Sequence, residues 1–184
     1  MRGYHLFDEE GALVMVAEHG TPWLPEKDQH LLRFAYPNAQ AVASMDLSGV
    51  PTSSKHGLAR TSYAIIYDLA VYAIISEYRY ADGADQGGIP PHYVLEVDGC
   101  RCLLVARSSP AAHDVHFVLY QDVSVDALVI DSADERDDLP EPVGQIARIT
   151  TDCDFQVTLP DGRLRQPSLV ALALTFLVDR HAAG

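Results

Sequence analysis

LARTSYAIIYDLAVYAIISEYR, residues 58–79, is the stretch whose conformation decides the fold. Leu58, Ile65, Ile66, Leu69, Val71, Ile74 and Ile75 cannot share one stripe at the ~3.6-residue period of a helix. A helix here is therefore apolar on most of its circumference, and such a helix belongs in the middle of a core, packed from at least two sides. The stretch approaches the length of a membrane span, but Arg60, Asp68, Glu77 and Arg79 interrupt it. A span needs about 20 predominantly apolar residues. The expectation is a long buried helix that crosses no membrane. On that helix Thr61, Asp68, Tyr72 and Ser76 fall on one narrow polar line. Asp68 is the only charge between Arg60 and Glu77. Facing water it is merely solvated; held in the interior by a His or Arg from elsewhere, it becomes a site candidate.

Downstream, His92–Val97 and Cys100–Arg107 flank Asp98-Gly99, the dipeptide of a tight type I′ hairpin. Asp114–Val123 reads as a third strand and Ala127–Ile130 as a short fourth, so an antiparallel meander follows the helix. Gly144–Thr151 and Phe155–Leu159 add strands, with Pro160-Asp161-Gly162 as a further turn signal. The chain closes on PSLVALALTFLVDRH, residues 167–181. Pro167 at the first helical position and Arg180-His181 in the last turn predict a second core helix over 168–181. Upstream, Tyr4–Ala17 reads as a hairpin with Gly11 at its turn. Glu26–Ala35 reads as a short helix stopped by Pro37, and residues 38–57 as largely irregular. The fold class that follows is α+β, one domain over 1–184, with an antiparallel sheet of five or more strands packed on the 58–79 helix and the C-terminal helix.

With 184 residues the chain is large enough to bury a substantial core. A net charge of −13, with no Lys/Arg cluster, sets it against a phosphate backbone, so no nucleic-acid partner is expected. The same charge suits a basic protein partner. Residues 131–142 concentrate six carboxylates, and Asp134, Glu135, Asp137 and Asp138 are the candidate partner-binding residues. Three cysteines, an odd number, fit a reduced cytoplasmic chain better than a disulfide framework. The opening Met1-Arg2-Gly3-Tyr4-His5 has no apolar signal-peptide core. His113 and His116 are the closest histidine pair, but residues three apart on a strand face opposite sides. No metal or cofactor is expected, since phosphate loop, G-x-S-x-G, CxxC and H-E-x-x-H motifs are all absent.

The order of elements from Ser54 to Tyr78, followed by His92-Tyr93-Val94-Leu95-Glu96-Val97-Asp98-Gly99, resembles the layout of papain-like and transglutaminase-like hydrolases. The resemblance covers residues 53–107 and implies a cleft between the helix start and the first meander strand. Ser54 would be the nucleophile and His92 the base. Apart from the resemblance, packing of the meander on the central helix would bring His92 or His116 to Asp68, giving an oriented imidazole. Those families place a Cys where this chain has Ser53, Ser54 and His56, so the implied protein is a serine variant or a catalytically dead relative. Two functions are thus carried forward. The leading one is a non-enzymatic acidic binding protein, of adaptor, inhibitor or immunity type, for a basic partner; the other is a small hydrolase. A homodimer through a strand edge is compatible with either.

Overall fold

In a computed structural model the 58–79 stretch is a β-hairpin. Its arms, Leu58–Tyr67 and Ala70–Tyr80, pair antiparallel from Leu58 opposite Tyr80 to Tyr67 opposite Ala70. The expected long helix is therefore absent, and the physical reason lies in the side chains. Tyr, Ile and Val suit a pleated surface. Along the first arm Tyr63 and Ile65 point into the core while Ser62 and Ile66 point out and are only partly covered, so apolar residues fall on both faces of the strand. The helical polar line dissolves: Thr61 and Ser76 sit on opposite arms and Asp68 in the turn between them.

The structure describes residues 3–20, 30–48, 52–53, 58–80, 92–107, 116–123, 140–149, 154–160 and 162–182. Its strands are β1 (Gly3–Phe7), β2 (Leu13–His19), β3 (Leu32–Ala35), β4 (Ala41–Leu47), β5 (Thr52–Ser53), β6 (Leu58–Tyr67), β7 (Ala70–Tyr80), β8 (His92–Val97), β9 (Cys100–Ala106), β10 (His116–Gln121), β11 (Gly144–Arg148) and β12 (Phe155–Thr158), and they precede one helix, α1 (Pro167–Ala182). All strands but β5 form one antiparallel path in chain order from β1 to β12, and β5 pairs with β6. The molecule is thus mostly β, a single meander with one helix, in place of the expected α+β layering. The hairpins at Gly11 and at Asp98-Gly99 form as expected, with positive φ at all three residues. Residues 32–35 and 41–47, expected as helix and irregular chain, are strands. The expected strand at 127–130 lies outside the described residues.

The core forms between the sheet and α1. Every residue of α1 from Leu169 to Asp179 is buried. A helix apolar all round can be satisfied only if the sheet curls about it. Strands β1, β2 and β12 pack most extensively against α1, so the two ends of the sheet converge on the helix. Asp179 ties them: its carboxylate accepts from Tyr4 Oη on β1 at 2.9 Å and from an Arg148 terminal nitrogen on β11 at 3.0 Å. Nearby, Tyr93 Oη on β8 donates to the Leu177 carbonyl at 3.1 Å, tying a central strand to the helix. Across the core, buried Glu77 accepts from Tyr63 Oη at 2.7 Å and from Arg79. Burial, reinforced by the Glu77 hydrogen bond and charge, pushes the Tyr63 phenol up to about 12.

Removing Asp179 strands Arg148, whose buried Nε already has no hydrogen-bond partner among the described residues. Breaking a largely buried pair from one side costs about 3–5 kcal/mol, against about 1 kcal/mol for one neutral hydrogen bond. Asp179→Ala is accordingly expected to lower unfolding free energy in urea by about 3 kcal/mol or more, and Tyr4→Phe by about 1 kcal/mol. Equal costs for the two variants would show that Asp179 does not hold the sheet ends.

Candidate functional site

The β6–β7 turn consists of Asp68 and Leu69, with φ of 51° and 60°. A two-residue type I′ turn needs positive φ at both positions, which is why Asn-Gly and Asp-Gly dominate it. The β8–β9 turn of this chain follows that rule, with Asp98 at 49° and Gly99 at 76°. The β6–β7 turn departs from it by placing a leucine where glycine is favoured. That leucine is 100% exposed, and Val71 beside it is 59% exposed. An apolar knob thus projects at the end of the longest hairpin.

Next to the knob the register slips. Ile65 pairs with Ala73 and Ile66 with Val71, so Tyr72 is the extra residue of a β-bulge. Bulges re-aim side chains, and here Tyr72 turns inward, 7% exposed, with its ring against Tyr67 at 6.0 Å. Its hydroxyl donates to Asp98 Oδ2 at 2.9 Å and accepts from the Gln166 N–H at 2.9 Å. Asp98 also accepts from the Arg165 N–H at 2.9 Å and from Arg165 Nε at 2.6 Å. Gln166 Nε2 donates to Tyr67 Oη at 3.1 Å. The segment entering α1 is therefore pinned to the β6–β7 and β8–β9 turns, and one end of the sheet becomes a rigid platform. Loss of solvent works to raise the Asp98 carboxyl, but the Arg165 backbone and side-chain hydrogen bonds and the Tyr72 hydroxyl outweigh it and hold Asp98 below its ordinary value.

An open groove of ≈ 410 Å³ lies on this platform, its walls including Val71, Tyr72, Ile74, Glu96, Asp98 and Arg101. Glu96 and Arg101 face each other across the β8–β9 pair, 3.8 Å apart and about half exposed. Such an exposed pair adds little stability but sets two charges of opposite sign on the rim.

Of the residues marked by sequence, Asp68 is exposed in the turn and His92 is buried at the start of β8, opposite Tyr78. Ala70 and Tyr78 are eight strand residues apart, or about 26 Å at ~3.3 Å per residue, so the hairpin holds Asp68 and His92 at opposite ends. His116 lies on β10, its Nε2 3.2 Å from Gln145 Oε1. Ser54, His113 and Cys153 lie outside the described residues, as do Asp134, Glu135, Asp137 and Asp138. No group of three or more metal-ligating side chains occurs among the described residues. Cys100 and Cys102 are free thiols; burial, followed by the neighbouring Cys100 and Asp122, pushes Cys102 up to about 11. Leu69 and Tyr72 entered the sequence reading only as parts of a helix, though a signal for the turn was present: YAIIY before Asp68-Leu69 and AVYAII after it are two β-rich arms about a two-residue loop. No family model, curated protein or solved structure matches this chain.

Two outcomes follow. A left-handed non-glycine residue costs about 1–2 kcal/mol, so Leu69→Gly is expected to raise unfolding free energy by about 1 kcal/mol, although most substitutions destabilise; a loss would mean that Leu69 is not strained. Asp98→Asn keeps an Asn-Gly turn while removing the charge and one of the two acceptor oxygens that Tyr72 and Arg165 use. Because the folded-state carboxyl is held below its ordinary value, its contribution is complete above the unfolded value of about 3.9. That contribution fades as pH falls through the folded value. The stability gap between the parent chain and Asp98→Asn should therefore be largest near neutrality and shrink on acidification, as read by urea titrations; a gap independent of pH would mean that the charge is not what holds the turn.

Proposed function

We propose that this chain is a non-enzymatic binding protein that engages a basic protein partner through the Asp68-Leu69 tip and the groove beside it. The observation that carries this reading is a fully exposed leucine in a left-handed turn position. Glycine would fit there without strain, and strain of this kind clusters where a surface is kept for function. The tip pairs an apolar knob with a carboxylate, and Val71 and Glu96 continue that pattern along the groove. It fits a partner pocket of apolar floor rimmed by Lys or Arg. The net charge of −13 would speed the encounter and make it salt-sensitive. Asp134, Glu135, Asp137 and Asp138 would contribute to that long-range attraction without forming the pocket contact. The chain would act in the cytoplasm; no described helix is long and apolar enough to cross a membrane.

Selection of a displayed random peptide library on the intact chain tests this directly. Enriched sequences are expected to carry an apolar residue flanked by Lys or Arg. Their affinity should fall about tenfold or more for Leu69→Gly, as for a central anchor residue, and should weaken as salt rises. Neutralising Asp134, Glu135, Asp137 and Asp138 together should slow association more than it speeds dissociation. Enrichment of sequences without basic residues, or binding indifferent to Leu69→Gly, would overturn the proposal.

A further inference from the structure

The strand path from β1 to β12 contains eleven members, and every neighbouring pair in it is antiparallel. With an odd number, the first and last strands point the same way. Closing the sheet on itself would require a parallel β1–β12 ladder in an otherwise antiparallel structure, and parallel pairing is slightly less stable per residue. No such pairing is present among the described residues. The seam is bridged by α1 and Asp179 instead, and among the described residues no strand but β2 pairs with β1, which ends the path.

Exposed edges are normally blunted by Lys, Pro or inward charge. Strand β1, Gly-Tyr-His-Leu-Phe, has no Lys, Arg, Asp, Glu or Pro. Strand β12 differs, since its exposed residues, Gln156 and Thr158, are polar. On the solvent side of β1, Phe7 is 56% exposed and its paired neighbour Leu13 36%. An unguarded edge with an exposed aromatic residue is suited to pairing with another strand.

We propose that β1 is a self-association edge, and that its partner is β1 of a second copy of this chain. Two copies of one strand related by a two-fold axis perpendicular to the sheet meet antiparallel, the orientation that all other pairs here adopt. Centring the pair on His5 aligns the full strand: Gly3 lies opposite Phe7 of the second copy, Tyr4 opposite Leu6, and His5 opposite its own equivalent. Inner residues then meet inner residues and outer meet outer, as the pleat demands. The exposed Phe7 ring covers the backbone of a residue that has no side chain, so the largest outer group meets the smallest. Shifting the register by two in either direction leaves Gly3 and Tyr4, or Leu6 and Phe7, without a partner in the opposing strand. A five-residue edge buries less than a stable interface of about 1,200–2,000 Å². The dimer is therefore weak and depends on concentration. This inference does not rest on the binding role of the Asp68-Leu69 tip, which lies on a different hairpin.

Cysteine cross-linking in the full chain, with Cys100 and Cys153 changed to Ser, reads the register. Directly opposed residues have Cα atoms about 4.5–5.5 Å apart, inside the disulfide window of about 4.4–6.8 Å. With glutathione disulfide as oxidant, two thiols join and two glutathione thiols are released. His5→Cys should give disulfide-linked dimers. A mixture of Gly3→Cys and Phe7→Cys chains should give the mixed dimer several-fold over either chain alone, and Phe155→Cys on β12 should give little. Sedimentation velocity of the unaltered chain from about 10 μM to about 1 mM, the range of weak contacts, should show a rising sedimentation coefficient. Phe7→Lys, at an exposed position, should abolish that rise while leaving the circular dichroism spectrum unchanged. A monomer throughout that range, or Phe155→Cys cross-linking as well as His5→Cys, would overturn the proposal.

Discussion

A helix that is apolar on all but one narrow line of its surface is the constraint to which the rest of this molecule answers. Leu169, Val170, Leu172, Leu174, Phe176, Leu177 and Val178 cover about two thirds of the circumference of α1, and all are buried. Each buried side chain of this size is worth about 1.5–3 kcal/mol relative to water, so no one-sided packing would satisfy them. A flat sheet could cover only one side. A long meander, which bends progressively through the right-handed twist between neighbouring strands, can cover them all. The polar residues of the helix from Ser168 to Asp179 are Ser168, Thr175 and Asp179, at steps of seven and four, and they share one line. Asp179 on that line meets Tyr4 and Arg148 from the two ends of the sheet, so the one polar stripe of α1 faces the seam.

Part of this was legible from residues alone. Pro167, an Ala- and Leu-rich run and Arg180-His181 specify a helix by local chemistry, and the structure has it at Pro167–Ala182. Asp98-Gly99 specifies its hairpin for the same kind of reason. The 58–79 stretch misled because circumferential apolarity has two physical causes. A helix in a core shows it, and so does a hairpin that carries partly covered apolar residues on its outer face as well as core residues on its inner one. What separates them is side-chain type, and Tyr63, Ile65, Ile66, Val71, Tyr72, Ile74 and Ile75 are β-branched or aromatic. The principle that an all-apolar helix lies within the core holds here, but for α1.

The candidate site was less legible, for three distinct reasons. Leu69 drew no attention because it was placed inside a helix, where an apolar residue is unremarkable; as a turn residue it is conspicuous. Tyr72 owes its position to a bulge between Ile65 and Ile66 of the partner strand, and a register slip leaves no mark in composition. Asp98 was identified as a turn former, whereas its second role, joining Arg165 and Tyr72, depends on contacts 67 and 26 residues away in sequence. The separation of Asp68 from His92 follows directly from the hairpin: a helix would have bent the problem into one cleft, while two extended strands hold the two residues at opposite ends.

Curling of the sheet around α1 as one cooperative unit is the central physical claim, and native-state amide hydrogen exchange tests it most directly. If the sheet and the helix depend on each other, the amides of Leu169–Val178 exchange only by global unfolding, with the same free energy as the slowest amides of β7 and β8. If the helix amides exchange at a markedly lower free energy while those of β7 and β8 stay protected, α1 is an independently opening element and the sheet does not need it.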